Sequence, residues 1–316
     1  MRKILLFVCV CLCVLPALAQ QDAQFSQYMF LGQYFNPATV GTEGVARFQL
    51  VTRSQWSGYA ATFDQGGSQG TTAFTFNMPL YVIKGGVGLH IVNDVLGPLT
   101  NQEVQLSLNY QIKVSDDATL SVGARGGIFN KILDGSKLRP KDVGDPLIPA
   151  GQVKQGNTDF AIGAYYYTSA FYLGASVNHV NVAKYNFGLP QATNSQRIHS
   201  YLTAGLHYFV SDNVELTPSV LLKTDMAQTS VDANLLATIK GNYWLGMGYR
   251  LAEGPVAMLG GNFGRNNEFR IGAALDVVTN ATSAKAPYSY EFLLGYALPA
   301  PRPSKKSPVK TPRFRY

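Results

Sequence analysis

The sequence is short of cysteine, of charge and of long apolar runs. Its three cysteines are Cys9, Cys11 and Cys13, so the chain beyond residue 13 offers no disulfide, thiolate zinc site or cysteine nucleophile. Val8, Val10 and Leu12 precede them where a lipoprotein signal needs a small residue, which argues against lipidation. Charged residues make up 14%, against about 25% in soluble domains, so the surface is poor in groups that keep proteins apart in water. After residue 20 no stretch approaches the ~18 consecutive apolar residues of a membrane-spanning helix. Disorder and collagen are excluded by an apolar content of 46%.

Catalytic signatures are missing too. There is no GxSxG elbow, which leaves an outer-membrane lipase or protease without support. Gly85-Gly86-Val87-Gly88 runs into a strand and lacks the Lys-Ser/Thr ending of a phosphate loop. The four histidines (His90, His179, His199, His207) stand at no metal-ligand spacing, and read as strand or loop residues without function. Asp134, Asp142 and Asp145 fit no calcium loop and read as a solvated segment. The expectation is a protein with no catalytic residues, no cofactor and no metal.

What is present begins with an export signature. Arg2 and Lys3, the apolar run Ile4 to Leu15 and the small-residue site Ala17-Leu18-Ala19 read as a signal peptide over residues 1–19. The alternative, a first transmembrane helix, needs about 20 apolar residues, and this run is too short. The net charge of +7 misleads. Setting aside Arg2 and Lys3, and Arg302, Lys305, Lys306, Lys310, Arg313 and Arg315 at the other end, leaves 18 basic residues against 19 acidic ones. Basic character therefore belongs to a Pro-rich tail, residues 299–316, and no nucleic-acid-binding face is expected on the body.

The body alternates with a period of two. Val104, Leu106, Leu108, Tyr110 and Ile112 interleave with Gln105, Ser107, Asn109 and Gln111, and Tyr288, Tyr290, Phe292, Leu294, Tyr296 and Leu298 with Ser289, Glu291, Leu293, Gly295 and Ala297. Strands are expected near 45–56, 71–78, 85–93, 102–113, 118–129, 158–167, 170–180, 198–210, 214–224, 229–239, 243–251, 255–264, 268–278 and 288–298. Short turns at Ser115-Asp116-Asp117, Thr168-Ser169, Ser211-Asp212-Asn213, Lys240-Gly241-Asn242 and Arg265-Asn266-Asn267 alternate with longer loops at 57–70, 94–101, 130–157, 181–197 and 279–287. The short turn near Glu253-Gly254 departs from that scheme. Even strand number and alternating loop length describe an outer-membrane β-barrel, an all-β fold whose closure satisfies every backbone polar group in hydrocarbon. The competing fold is a soluble sandwich or lipocalin-like barrel with apolar faces inward, and the apolar faces are too numerous for one small core. Expected inward groups are Arg47, Gln49, Arg53, Gln55, Gln105, Asn109, Arg125, Asn178, Glu215, Lys223, Asp232, Asn234, Arg250, Arg270, Asp276 and Glu291. Their mixed signs favour a plugged or internally paired lumen over a strongly ion-selective pore.

Residues 20–44 stand apart as a polar and aromatic leader, either packed into the barrel mouth or acting as a plug or docking element. It carries Asp22, Gln24, Phe25, Ser26, Gln27 and Tyr28, then Asn36, Pro37 and Gly41. With Arg53, Gln55 and Trp56, then Asn93, Asp94 and Gly97, and the later Leu221-Leu222-Lys223 and Tyr249-Arg250, this opening resembles the PorP/SprF family. These are outer-membrane proteins of the type IX secretion and gliding-motility apparatus of Bacteroidetes, and the likeness spans roughly 21–298. Thr39-Val40 is a mild departure in the family's NPAxxG stretch, and the tail matches no family pattern. The resemblance implies an outer-membrane barrel over 45–298, facing membrane lipid. It also implies a non-enzymatic role in secretion, with a peptidoglycan-binding periplasmic lipoprotein, other type IX components and in some members a large surface adhesin as partners. The reading from another class is a channel for small or hydrophobic solutes. From charge alone, the tail residues Arg302, Lys305, Lys306, Lys310, Arg313 and Arg315 suit either an acidic partner or solvent.

Overall fold

The computed structural model describes residues 22–59, 69–138, 148–149, 151–187, 194–251, 253–279 and 287–299. The signal segment and the basic tail from residue 300 lie outside the described residues. Among the latter, no helix is long and apolar enough to cross a membrane.

Fourteen strands follow one another around a closed antiparallel barrel. They are β1 (Val45–Gln55), β2 (Gln69–Leu80), β3 (Gly85–Leu96), β4 (Leu99–Lys113), β5 (Thr119–Asp134), β6 (Gln152–Tyr167) and β7 (Phe171–Asn178). Then come β8 (His199–Leu206, resuming at Tyr208–Ser211), β9 (Val214–Thr224), β10 (Thr229–Ile239), β11 (Tyr243–Arg250), β12 (Gly254–Phe263), β13 (Phe269–Val277) and β14 (Tyr288–Pro299). Closure comes from the first and last strands, in register from Val45 opposite Pro299 to Ser54 opposite Tyr290. No strand edge is left to face lipid, which hydrocarbon demands.

The side chains are inverted relative to a soluble protein. On β4, Val104, Leu106 and Leu108 are 46%, 60% and 55% exposed, while Glu103, Gln105 and Ser107 are at most 4% exposed. Every inward group expected from the alternation faces the interior: Arg53, Arg125, Arg250, Asp232, Asp276 and Glu291 are buried, and Glu215 and Arg270 partly so. Outside, aromatic pairs mark one rim, with Phe48–Phe76, Tyr243–Phe263 and Phe269–Tyr296 ring centroids 4.6, 5.8 and 5.0 Å apart. Such girdles sit at the headgroup level.

Residues 45 and 299 lie at that rim together with all five of the short turns read from sequence, which makes it the periplasmic end by the usual asymmetry of these barrels. The opposite rim corrects two expected loops. Residues 94–101 are mostly ladder, Asp94 opposite Asn101 and Leu96 opposite Leu99, joined by a two-residue turn where Gly97 takes φ +63°. Residues 130–134 and 152–157 also pair, Asn130 with Gly156 and Asp134 with Gln152. Polar residues there suggested loop, yet strands that rise beyond the lipid no longer need an apolar face. On the same rim residues 225–228 separate β9 from β10 and three residues separate β11 from β12, so long and short connections alternate only in part.

Replacing Leu106 by Arg puts a charge on the lipid face. It should destabilise the barrel by about 2–4 kcal/mol in denaturant unfolding from bilayers, while Lys113→Ala at the rim should stay within about 0.5 kcal/mol. Equal effects would contradict the inverted arrangement.

Candidate functional site

A barrel of about eight strands can be filled by its own side chains, and larger ones leave a lumen. Here the lumen holds the leader. Asp22 lies near the outer rim, and the chain descends through three short helical turns, Tyr28–Phe30, Gly32–Phe35 and Pro37–Thr39, to the periplasmic rim at Val45. Asn36 initiates the last turn, its Oδ1 accepting from Ala38 N at 2.9 Å, with Pro37 pre-set for the first position. The Asn36 amide also donates to the wall carbonyls of Ala164 and Ala175 at 2.9 and 3.3 Å. Gly41 takes φ +70°, and a Cβ there would come within 2.8 Å of Met78 O and Pro79 Cα; only glycine fits. Phe25, Tyr28, Leu31, Tyr34 and Phe35 form one apolar cluster with the inward wall residues Val51, Ala73, Val92, Tyr201, Leu221 and Leu293.

Charge fixes the upper half of the plug. The Arg53 guanidinium meets Asp276 at 2.6 Å and Glu291 at 3.4 Å and donates to Ser26 Oγ at 2.7 Å. Glu291 accepts from the backbone N–H of Ser26 and of Gln27 at 2.7 and 2.9 Å. Arg250 bonds Asp232, Glu253 and Asp276 at 3.1, 2.9 and 3.1 Å and donates to the Phe25 carbonyl at 3.2 Å. Lys223 closes the ring on Asp232 at 2.8 Å, and Gln55 donates to Glu253 at 3.0 Å. Buried charges are tolerable only when paired and hydrogen-bonded in this way. The leader backbone completes the pairing, so wall and plug satisfy each other.

A second node lies higher. Asp22 faces His179 Nε2 and His199 Nδ1, each at 2.8 Å, and accepts from the Tyr201 hydroxyl. Asp159 stands 2.8 Å from the other His179 nitrogen and accepts from Gln105 at 2.7 Å. Burial alone would lower the His179 imidazole, but Asp22 and Asp159 outweigh it and push it up to about 10. Burial would raise Asp22, but His179 and His199 hold it well below the ordinary carboxylate range.

Of the motif residues read from sequence, Asp22, Phe25, Ser26, Gln27, Tyr28, Asn36, Pro37, Gly41, Arg53 and Gln55 thus meet in or beneath the plug. Tyr28 Oη reaches Ser219 at 2.9 Å. Trp56 sits at the outer turn after β1, its backbone N–H donating to Ser289 at 3.0 Å. Asn93, Asp94 and Gly97 do not join the leader: Asp94 accepts from Thr71 at 2.6 Å and Asn93 from Gln102 at 3.0 Å, at the outer ends of β2 to β4. Of the four histidines, His179 and His199 belong to the second node, whereas His90 faces Glu103 at 3.4 Å and His207 faces Glu215 at 2.6 Å. Glu103 and Asp159 were legible, because they share parity with Gln105 and Ala161 on strands already read as alternating. At the periplasmic end a cavity of about 340 Å³ remains, lined by Tyr28, Phe30, Tyr165, Tyr172, Glu215 and Arg270 among others.

These features define a plugged outer-membrane β-barrel. Residues 17–296 match the family model described as type IX secretion system membrane protein PorP/SprF, and the chain belongs to that family. It is an outer-membrane protein that works with other type IX secretion components. No curated protein matches it. Among solved structures, the toluene transporter TbuX of Ralstonia pickettii is 15% identical, over 84% of this chain and 92% of its own, with a TM-score of 0.48. The toluene transporter TodX of Pseudomonas putida is 10% identical over 84% and 92%, at 0.49. Omp33 of Acinetobacter baumannii is 7% identical over 81% and 99%, at 0.44. Likenesses this distant say nothing of what this chain carries or binds.

Arg53→Leu takes one of its two arginine partners from Asp276 and its ion-pair partner from Glu291. It should cost about 3–5 kcal/mol in denaturant unfolding and expose the leader to added protease. A leader as protected as in the unaltered protein would contradict the arginine's role.

Proposed function

We propose that the protein is a non-enzymatic anchor and assembly component of the type IX machinery, its barrel held shut rather than used as a pore. The observation carrying this reading is the leader, whose backbone and side chains complete the buried charge network of the wall from Ser26 to Glu291 and Arg250. A segment bound so is a fixed part of the barrel. With an even strand number, both ends of the barrel emerge at the periplasmic rim beside the remaining cavity. That is where a peptidoglycan-binding lipoprotein and the rest of the machinery would engage, while the outer loops and rim would serve a surface adhesin where one is held. The motif residues Asp22 to Tyr28, Asn36, Pro37, Gly41, Arg53 and Gln55 serve in this reading to seat the plug.

Reconstituted in planar bilayers, the unaltered protein should show no steady conductance, and removal of residues 22–40 should produce it. A steady pore in the unaltered protein would favour a solute channel instead. Purified in mild detergent, it should bring down type IX components, identified by mass spectrometry.

The basic tail supports a second contact of the same role. Six cations with no acid over 302–316, interrupted by proline, suit an acidic periplasmic surface. Deleting 302–316 should weaken recovery of periplasmic partners in a salt-sensitive manner; unchanged recovery at low salt would discard the contact.

A further inference from the structure

The node around Asp22 has more donor atoms than a fold needs to pin one end of a plug. Three elements far apart in sequence deliver them: the start of the leader, the residue after β7 and the first residue of β8. One ligand-type atom each from Asp22, His179 and His199 lies within 4.8 Å of the other two, and Tyr201 contributes a phenol oxygen on the same carboxylate. His179 is held in a way that histidines without a task seldom are. Its backbone is left-handed at φ +60°, a conformation that costs a residue with a Cβ roughly 1–3 kcal/mol. Its Nδ1 faces the fully buried carboxylate of Asp159 at 2.8 Å. A carboxylate behind an imidazole fixes the tautomer that leaves Nε2 as the donor, the outer-shell arrangement of zinc-bound histidines. That Nε2 points at a second carboxylate. Two imidazole nitrogens and a carboxylate oxygen converging on one point are a donor set that a divalent cation can take.

The His199 side chain is 6% exposed, and its polar contacts among the described residues are made at Nδ1, the nitrogen that faces Asp22, while Nε2 has no hydrogen-bond partner there. Phe129 and Tyr185 wall the site on the His179 side, with the Phe129 ring 5.5 Å from that imidazole and Tyr185 packed on Phe129. The buried Lys131 Nζ lies over the same two rings, 6.0 and 5.0 Å from their centroids.

We propose that Asp22, His179 and His199, with Tyr201 as the adjacent fourth donor and Asp159 behind His179, form a binding site for a divalent first-row transition metal, zinc being the natural occupant. Two nitrogens and one or two oxygens suit zinc, whose structural sites are closed and four-coordinate. A metal takes the nitrogen and oxygen lone pairs that protons would otherwise hold, so its binding competes with protons. The site ties the first described residue of the plug to the segment that follows β7 and to the head of β8. The metal would therefore act as a staple, locking the outer end of the leader while Arg53 and Arg250 hold its middle.

The test uses the full-length protein in detergent. After treatment with EDTA and dialysis, it is titrated with zinc by calorimetry, analysed for retained metal, and loaded with cobalt(II) to read the visible bands of a tetrahedral site. One equivalent of zinc per chain, tetrahedral cobalt bands and a higher unfolding temperature on zinc addition are the expected results. His199→Ala and Asp22→Asn should abolish retention. Asp159→Asn, which removes no ligand, should weaken binding by about 10–100-fold. Each variant's fold is checked by its heat-dependent gel mobility. Absence of retained zinc in the unaltered protein overturns the proposal without recourse to any variant, and so does wild-type affinity in a folded His199→Ala protein.

Discussion

Closure of the sheet between its first and last strands is the constraint on which the rest depends. In hydrocarbon each unpaired backbone group costs several kcal/mol, so β1 and β14 must meet in full register, as they do from Val45–Pro299 to Ser54–Tyr290. Once fourteen strands close, their circumference fixes a lumen too wide for the wall's own side chains. The alternation that sends Leu106 and Leu108 to lipid sends Gln105, Ser107 and Asn109 inward. The interior is thereby obliged to be polar and obliged to be filled.

The leader answers both obligations. Its aromatic residues Phe25, Tyr34 and Phe35 pack edge to face, with centroids 5.0–5.1 Å apart for the pairs involving Tyr34, and supply volume. Its backbone supplies hydrogen bonds to wall charges that would otherwise face one another with too few donors. Near Arg53 and Arg250, four carboxylates surround three cations once Lys223 is included. The N–H groups of Ser26 and Gln27 offset the excess negative charge at Glu291. Such a network is costly to disturb at any one member because the others are left buried and unpaired. Wall and leader form a single packed unit.

Much of this was legible in the sequence, for physical reasons. Period-two alternation is a local property, so β4, β11 and β14 and the list of inward charges could be read residue by residue. Four of the periplasmic turns announced themselves through Asp, Asn or Gly, whereas the turn at Tyr81–Ile83, built of large apolar residues, did not. The ladder over 94–101 was hidden because polarity signals loop only where the alternative is lipid. The strand pairs there, with Asp94 against Asn101, stand where polar side chains are allowed on both faces. The leader's specificity showed in its motif, but its seat did not. Asp22 meets His179 across 157 residues of chain, and Ser26 meets Glu291 across 265. No spacing rule reaches that far, and a histidine such as His179 reads as idle until its partners are brought to it.

The central claim is that the leader is a structural part of the closed barrel, and the exchange of its backbone amides reports on it most directly. In hydrogen–deuterium exchange of the protein in lipid nanodiscs, peptides covering residues 22–40 should exchange as slowly as those of β4. The reason is that the Ser26 and Gln27 amides are bound to a buried carboxylate. Exchange of that segment at the rate of a solvated chain, with the strands still protected, would contradict the account.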